Sequence, residues 1–484
     1  MRPRLSRDLL VYGVGEVLVK AFSLITLPIY TRIFTPDEFG ALSIFLTVSG
    51  FALAIIALGG DSAFVRYFLS ARTLDERRAI TSTWIAFLGI WSVVATALIL
   101  PLSPLLADIA VGADAADSML MVLALVIIPI RLTNVMCAQA LRNEFRAVAY
   151  TVMNVATLAL TVAGALFGAV VLDLGIAGIL VGTLGAEVVM LPARLWTIRH
   201  LLRPVFSSHY LIRLIGYGLP LVPTSIAYWV FTTSDRVLIG NLSTLEQVGL
   251  YSVAVSVANI ANIAIVALGQ AWTPHAIQRY ESDPDEAGVL FGRMFIYILF
   301  AFGTLAVGLT ALANVIVGVL AGDKYSGAAA GVAPLAIGMV AYATTQITAA
   351  GITLRNRTVY FAVYSWAAAG LNIVLNILLI PGMGMVGAGL ATAAAYIALT
   401  VSYGVTSHRL WRMHYQWRRA ATMIGLILLA VAGAAVLSTV EGLDDGPGAA
   451  VTGSVYTAIF AVILVFVAGR DAMLQAIPWS RWTR

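Results

Sequence analysis

Polar residues enter this chain in short bursts between long apolar runs. A helix needs roughly 20 mostly apolar residues to cross about 30 Å of hydrocarbon. Runs of that length recur fourteen times, at about 9–32, 40–65, 80–101, 119–141, 148–171, 175–196, 213–239, 248–273, 293–320, 330–353, 358–380, 384–405, 421–440 and 449–469. The connections are short and leave no room for a globular domain outside the membrane. The pattern predicts an all-α polytopic membrane protein of about fourteen transmembrane helices.

One polar burst is informative. In IYTRIFTPDEFGALSIF, Ile29 to Phe45, the residues Thr-Pro-Asp-Glu end one apolar run and Gly40 opens the next. The pattern returns 209 residues later, where Thr35, Gly40, Ser43, Val48, Ala52, Ile56 and Gly60 meet Thr244, Gly249, Ser252, Val257, Ala261, Ile265 and Gly269. The same offset pairs Gly175, Gly178, Thr183 and Ala186 with Gly384, Gly387, Thr392 and Ala395. Between these segments, the triplet LRN at 141–143 recurs at 354–356. The repeat restarts after six helices, an even number, so both copies have the same orientation. The expected organisation is a first lobe at 1–200, a second six-helix lobe at 201–410, and two C-terminal helices with a tail at 411–484. Parallel repeats are related by an axis along the membrane normal, with the substrate site typically between them. Rocking of one bundle against the other is the mechanism this predicts.

Composition agrees: 60% of the 484 residues are hydrophobic and 11% are charged, against about 25% charged in a soluble domain. The net charge of +5 is a matter of topology. With the N-terminus placed in the cytoplasm, all but five of the 29 Lys and Arg fall in or beside inward-facing segments. Only Arg32, Arg236 and Lys324 face outward, while Lys20 and Arg131 lie within spans. The acidic stretches PLLADIAVGADAADS and VEGLDDGPG fall outside. Cytoplasmic loops carry the Lys and Arg excess, so both termini are expected in the cytoplasm. The basic, apolar N-terminus imitates a signal peptide, but Glu16 and Lys20 interrupt it and it is long enough to span; a retained first helix is expected. A single cysteine, Cys137, excludes an internal disulfide framework.

The segment LPIYTRIFTPDEFGALSIF resembles the first-hairpin signature of the polysaccharide-repeat flippases of the Wzx type. TSDRVLIGNLSTLEQVGLYSVA is similar to their seventh-helix signature, an Asp-Arg pair, a short turn, then Gly-x-Tyr. Length, helix number and repeat fit as well. The resemblance implies the fold of the multidrug/oligosaccharidyl-lipid/polysaccharide exporter superfamily, two six-helix lobes around a cavity. It also implies the cargo: oligosaccharide repeat units on undecaprenyl pyrophosphate, moved from the cytoplasmic to the periplasmic leaflet of the bacterial inner membrane for exopolysaccharide or O-antigen-type synthesis.

Charges within spans are functional hypotheses by default, because each is expensive in hydrocarbon. Lys20 and Arg131 lie deep in the first and fourth runs and could attract a pyrophosphate, Arg in bidentate fashion. Alternatively, they pair internally: Glu16 precedes Lys20 by four residues, and Glu187 could neutralise Arg131. Arg66 and Arg32 are candidates for guiding cargo at the inner and outer mouths, although Arg66 also suits an interface anchor. Asp235 and Arg236 match the family's pair and are candidates for closing the outer gate or, Arg236 above all, for contacting cargo, with a purely structural role as the alternative. Glu16, Asp61, Glu187 and Asp235 are the candidates for coupling to H+ or Na+, and no other cofactor is expected. Pro28, Pro220 and Pro223 interrupt the first helices of the two halves at related places and are candidate gating kinks.

Other motifs carry less. GMGMVG, Gly382 to Gly387, has the spacing of a dinucleotide fingerprint but joins two spans and follows no strand. The five His residues lack metal-ligand spacing. SHRLWRMHYQWRRA mixes Arg with Trp and Tyr as an anchor on anionic lipid does, and nucleic acid is not an expected partner. Expected partners are a lipid-linked glycan, membrane lipids and polysaccharide polymerase machinery, with the chain acting as a monomer. Two relatives of this function stay open, a lipid II flippase and a cation-coupled multidrug antiporter. A membrane glycan polymerase or glycosyltransferase is disfavoured, because the longest outward connection, 102–118, lacks His, Lys and Arg. No enzyme activity is expected.

Overall fold

The structure is a computed structural model that describes residues 26–112, 115–438 and 446–468. Among these residues it is all-helical, and twelve helical segments are long and apolar enough to cross a membrane. The protein is a multi-pass membrane protein. Contacts divide the chain into two compact units, Met1–Gly249 and Leu250–Arg484.

The first unit begins with the described end of a helix, α1, at 26–33. Thr35 then caps α2 (Pro36–Ile56): its hydroxyl accepts from the Glu38 N–H, and the Glu38 carboxylate accepts from the Thr35 N–H at 2.9 Å. This capping box satisfies donors that a helix start leaves open. The run expected at 40–65 is broken. Leu58 and Gly59 take positive φ, and α3 (Gly60–Ser70) sets off separately. Gly59 lies against the backbone of Gly218 so closely that a Cβ on either would overlap the other segment.

After α4 (Leu74–Ile99), the stretch read as an outer connection contains a helix, α5 (Ser103–Val111), so the apolar segment runs from Leu74 to Val111. Nine residues are too few to announce a helix by periodicity, and Pro104 suits a first turn. Then come α6 (Ala115–Asn143), α7 (Ala147–Leu166) and α8 (Gly175–Thr197). The α7 and α8 backbones meet through Gly164 against Gly182 and Gly168 against Gly178, a small-residue crossing of the kind that packs helices in lipid. The seventh run is split into α9 (Ser208–Gly218) and α10 (Val222–Leu242), with Pro220 and Pro223 at the break. Pro removes a backbone donor and disrupts the helical ladder there.

In the second unit, α11 (Leu245–Ser282), which starts in the first, is followed by α12 (Pro284–Ala311), α13 (Ala313–Ala321), α14 (Ala329–Thr348) and α15 (Ala350–Leu354). Then α16 runs 52 residues, Val359–Leu410. At 1.5 Å per residue that would be about 78 Å if straight. Gly384, at φ 54° and ψ −134°, breaks it. Hydrogen bonds from Asn372 to Thr392 and between Tyr364 and Thr406 show that it folds back as a hairpin. The expected boundary between runs 358–380 and 384–405 falls there. The last helices among the described residues are α17 (Trp417–Leu437) and α18 (Gly446–Ala468).

The 209-residue offset is visible in the backbone. Gly175 and Gly384, its partners, both adopt positive φ at the turn of a helical hairpin. Thr35 and Thr244 each accept from the N–H three residues on. Gly40 lies against the Leu245 carbonyl and Gly249 against that of Pro36, so repeat partners meet reciprocally.

Candidate functional site

Helix α7 carries Tyr150, Asn154, Thr157 and Thr161 at intervals of four, three and four residues, and these fall on one face. They turn toward α6 and α8 and line a polar cavity of about 410 Å³ inside the first unit. From α6 it receives Arg131, Asn134 and Gln139, and from α8 Thr183, Glu187 and Arg194.

Arg194 is 4% exposed. Its guanidinium donates to the Asn134 carbonyl at 3.2 Å, the Met153 carbonyl at 3.4 Å, Asn154 Oδ1 at 3.0 Å and Thr157 Oγ1 at 2.7 Å. One side chain thereby fastens the three helices together. Asn134 donates to the Glu187 carboxylate at 2.7 Å and to its carbonyl at 2.9 Å. Arg131 Nε stands 3.8 Å from the same carboxylate, with about half of its side chain exposed. That distance is an ion pair and exceeds a hydrogen bond, so the Arg131 fork retains donors for another anion. Asn134 Oδ1, Gln139 Oε1 and Arg194 Nε are buried without a protein partner. Groups of that kind are usually satisfied by water or ligand, and here they line the cavity wall.

Of the residues singled out in the sequence, the structure brings Arg131 and Glu187 together. Arg194 had been grouped with the basic residues flanking the inner face; it is instead buried, at the last turn of α8, because its long side chain turns back between α6 and α7. Asn134, Asn154 and Thr157 went unmarked, although Asn134 is three residues after Arg131 and the α7 stripe has helical spacing. Lys20 and Glu16 lie outside the described residues. Arg66 is exposed on α3 with its guanidinium 4.6 Å above the Tyr217 ring, and Arg213 sits 5.0 Å above Tyr67 in the reciprocal arrangement. Asp61 opens α3, Arg32 is exposed at the end of α1, and Pro28 lies within α1. Asp235 is buried on α10 with Arg236 half-buried beside it. No group of three or more His, Cys, Asp or Glu among the described residues could hold a metal ion.

Residues 29–330 match the family described as polysaccharide biosynthesis protein. The chain belongs to that family. A relative is the succinoglycan biosynthesis transport protein ExoT of Rhizobium meliloti (strain 1021), 26% identical over 335 residues, 67% of this chain and 65% of ExoT. The chain therefore spans just under two thirds of that relative's length. An uncharacterized membrane protein of Methanocaldococcus jannaschii is 24% identical over 203 residues, covering 41% of this chain and 39% of that protein. Among solved structures, the lipid II flippase MurJ in an inward closed conformation matches with a TM-score of 0.75 at 14% identity, over 96% of this chain and all of that one. A multidrug resistance MATE family transporter of the MOP superfamily matches with a TM-score of 0.56 at 17% identity, over 81% of this chain and 98% of that one. This polysaccharide biosynthesis family member thus has the fold of MurJ and the MATE transporters.

Proposed function

We propose that this protein is a flippase that moves undecaprenyl-pyrophosphate-linked oligosaccharide units from the cytoplasmic to the periplasmic leaflet of a bacterial inner membrane by alternating access. The observation that carries this reading is a cation-bearing polar cavity within the helices of a polysaccharide biosynthesis family member. Oligosaccharide pyrophosphates are anionic and rich in hydroxyls. A surface of Arg131, amides and Thr hydroxyls offers matching donors and acceptors, with Arg fitted to two phosphate oxygens at once. In this reading Lys20, Arg32, Arg66 and Arg236 are further cations for the cargo to meet, and Pro28, Pro220 and Pro223 are the positions where the first helix of each half would bend.

Glu187 supplies the means of coupling. While it is ionised it competes with the cargo for Arg131; a proton or Na+ on the carboxylate removes the competitor. Asp61, Asp235 and Glu16 are further carboxylates for the same task. The chain works as a monomer and hands its cargo to the polymerase machinery.

The test is leaflet transfer of a lipid-linked oligosaccharide by the purified protein in proteoliposomes, with lipid II and a cationic drug as alternative cargoes. The expected result is transfer of the oligosaccharide lipid and its loss in Arg131→Glu, with the variant still inserted in the membrane. Selective transfer of the drug, or cleavage of a glycosidic bond without transfer, would overturn the reading.

A further inference from the structure

The segment from His408 to Arg419, noted in the sequence as an anchor on lipid, borders a defined slot in the second unit. Its volume is about 430 Å³, and its walls come from α12, α14, the second half of α16, and α17. On α16 the wall is Ile397, Thr400, Val401, Gly404 and Val405, at three- and four-residue spacing along one face. Helix α14 supplies Ile337, Val340, Ala341 and Thr344, and α17 supplies Ile424, Ile427 and Leu428. The polar groups in it are turned inward on one another: Thr400 bonds Thr344 at 2.7 Å and Thr348 at 3.0 Å, and Thr344 also donates to the Ala341 carbonyl. The slot is open along one side, where Ile397, Val401, Val405, Ile424 and Leu428 are 42–56% exposed.

Its dimensions select the occupant. From Ile397 to His408 the helix rises about 16 Å at 1.5 Å per residue, close to half the roughly 30 Å hydrocarbon core. The slot is therefore one leaflet deep. A single acyl chain matches that depth and the apolar wall.

The mouth selects the headgroup. His408, Arg409, Tyr415 and Trp417 surround it. The buried Tyr415 ring is fixed between Phe295 at 5.2 Å and Trp417 at 4.8 Å. Arg412, Arg418 and Arg419 adjoin, and no acidic residue occurs between His408 and Arg419. Trp and Tyr mark headgroup depth, and Arg409 with His408 at the mouth offers charge to an anionic headgroup.

We propose that the slot is a binding site for one anionic bilayer phospholipid, with an acyl chain between α14, α16 and α17 and its phosphate on Arg409 and His408. The generic anchor becomes a stoichiometric site, separate from the polar cavity of the first unit and independent of the identity of the cargo.

Native mass spectrometry of the full-length protein tests it, after delipidation and titration with phosphatidylglycerol or phosphatidylethanolamine. One bound phosphatidylglycerol per chain is expected, preferred over phosphatidylethanolamine. Arg409→Gln, on an exposed side chain, should lower that preference about fivefold, the size expected for one basic residue beside an anionic surface, and leave chain binding intact. Val401→Trp, at a position more than half exposed, should fill the slot and abolish the adduct of both lipids. Adducts unchanged in both variants, or equal binding of the two lipids by the unmodified protein, would overturn the proposal. So would a polyprenyl phosphate that displaces phosphatidylglycerol completely at equal concentration.

Discussion

At Arg194 the two terminal guanidinium nitrogens donate to four protein acceptors on α6 and α7. At Arg131, in the same cavity, half the side chain is exposed and the Glu187 carboxylate stands 3.8 Å away. The two arginines should therefore fail differently when replaced. Arg194→Met removes the tie among three helices and strands Asn154 and Thr157. Breaking a buried charged network typically destabilises by about 3 kcal/mol or more, so a lower midpoint in thermal unfolding and reduced accumulation in the membrane are expected. Arg131→Lys keeps the charge and loses the planar fork. Its stability should stay within about 0.5 kcal/mol of the parent, as for substitutions away from buried networks, while under the proposed function transfer of the glycan lipid slows. Equal loss of stability in both variants would remove the distinction. The sequence disclosed Arg131 because a charge stands out in an apolar run. It concealed Arg194, because a residue near a span's end reads as a headgroup anchor, and only packing shows which way a long side chain turns.

Helix boundaries divide along a similar physical line. Apolar length exposed most spans, and Pro220 and Pro223 announced the break between α9 and α10. The break after α2 was missed, since Leu58 and Gly59 are apolar or small and do not interrupt hydropathy. Their positive φ accompanies a close approach of the Gly218 backbone, a tertiary contact absent from a linear pattern. Glycine also decides the α7–α8 hairpin. A methyl at Gly178 would run into the Gly168 backbone, whereas one at Gly185 meets nothing within 4 Å. Gly178→Ala should destabilise by about 1–3 kcal/mol, the range for overpacking. Gly185→Ala should be neutral or stabilising by up to about 1 kcal/mol through helix propensity. Gly384→Ala introduces a Cβ where φ is 54° and ψ −134°, a strained conformation costing about 1–3 kcal/mol. Thermal unfolding of the three purified variants in detergent checks the order.

Across the whole molecule, the distribution of charge and the internal repeat constrain one another. A repeat that restarts after six helices preserves orientation, so each lobe should meet the cytoplasm at equivalent turns. Basic residues follow that rule: Arg66, Arg72, Arg77 and Arg78 lie at one turn of the first lobe, and Arg279 and Arg293 flank the equivalent turn of the second. The reciprocal approach of Gly40 to Leu245 and Gly249 to Pro36 ties the two repeat starts to one level along the chain's own geometry. Hydropathy alone is indifferent to direction, which enters only through Lys and Arg placement. The only cysteine, Cys137, is buried, so its replacement by Ala gives a clean background for labelling. In that background Arg32→Cys and Lys324→Cys should react with a membrane-impermeant maleimide added to intact cells. Arg72→Cys and Arg357→Cys should react only after the membrane is opened. The reverse pattern would invert the expected orientation of the whole molecule. A mixed pattern within one lobe would instead break the even spacing on which the parallel repeat depends.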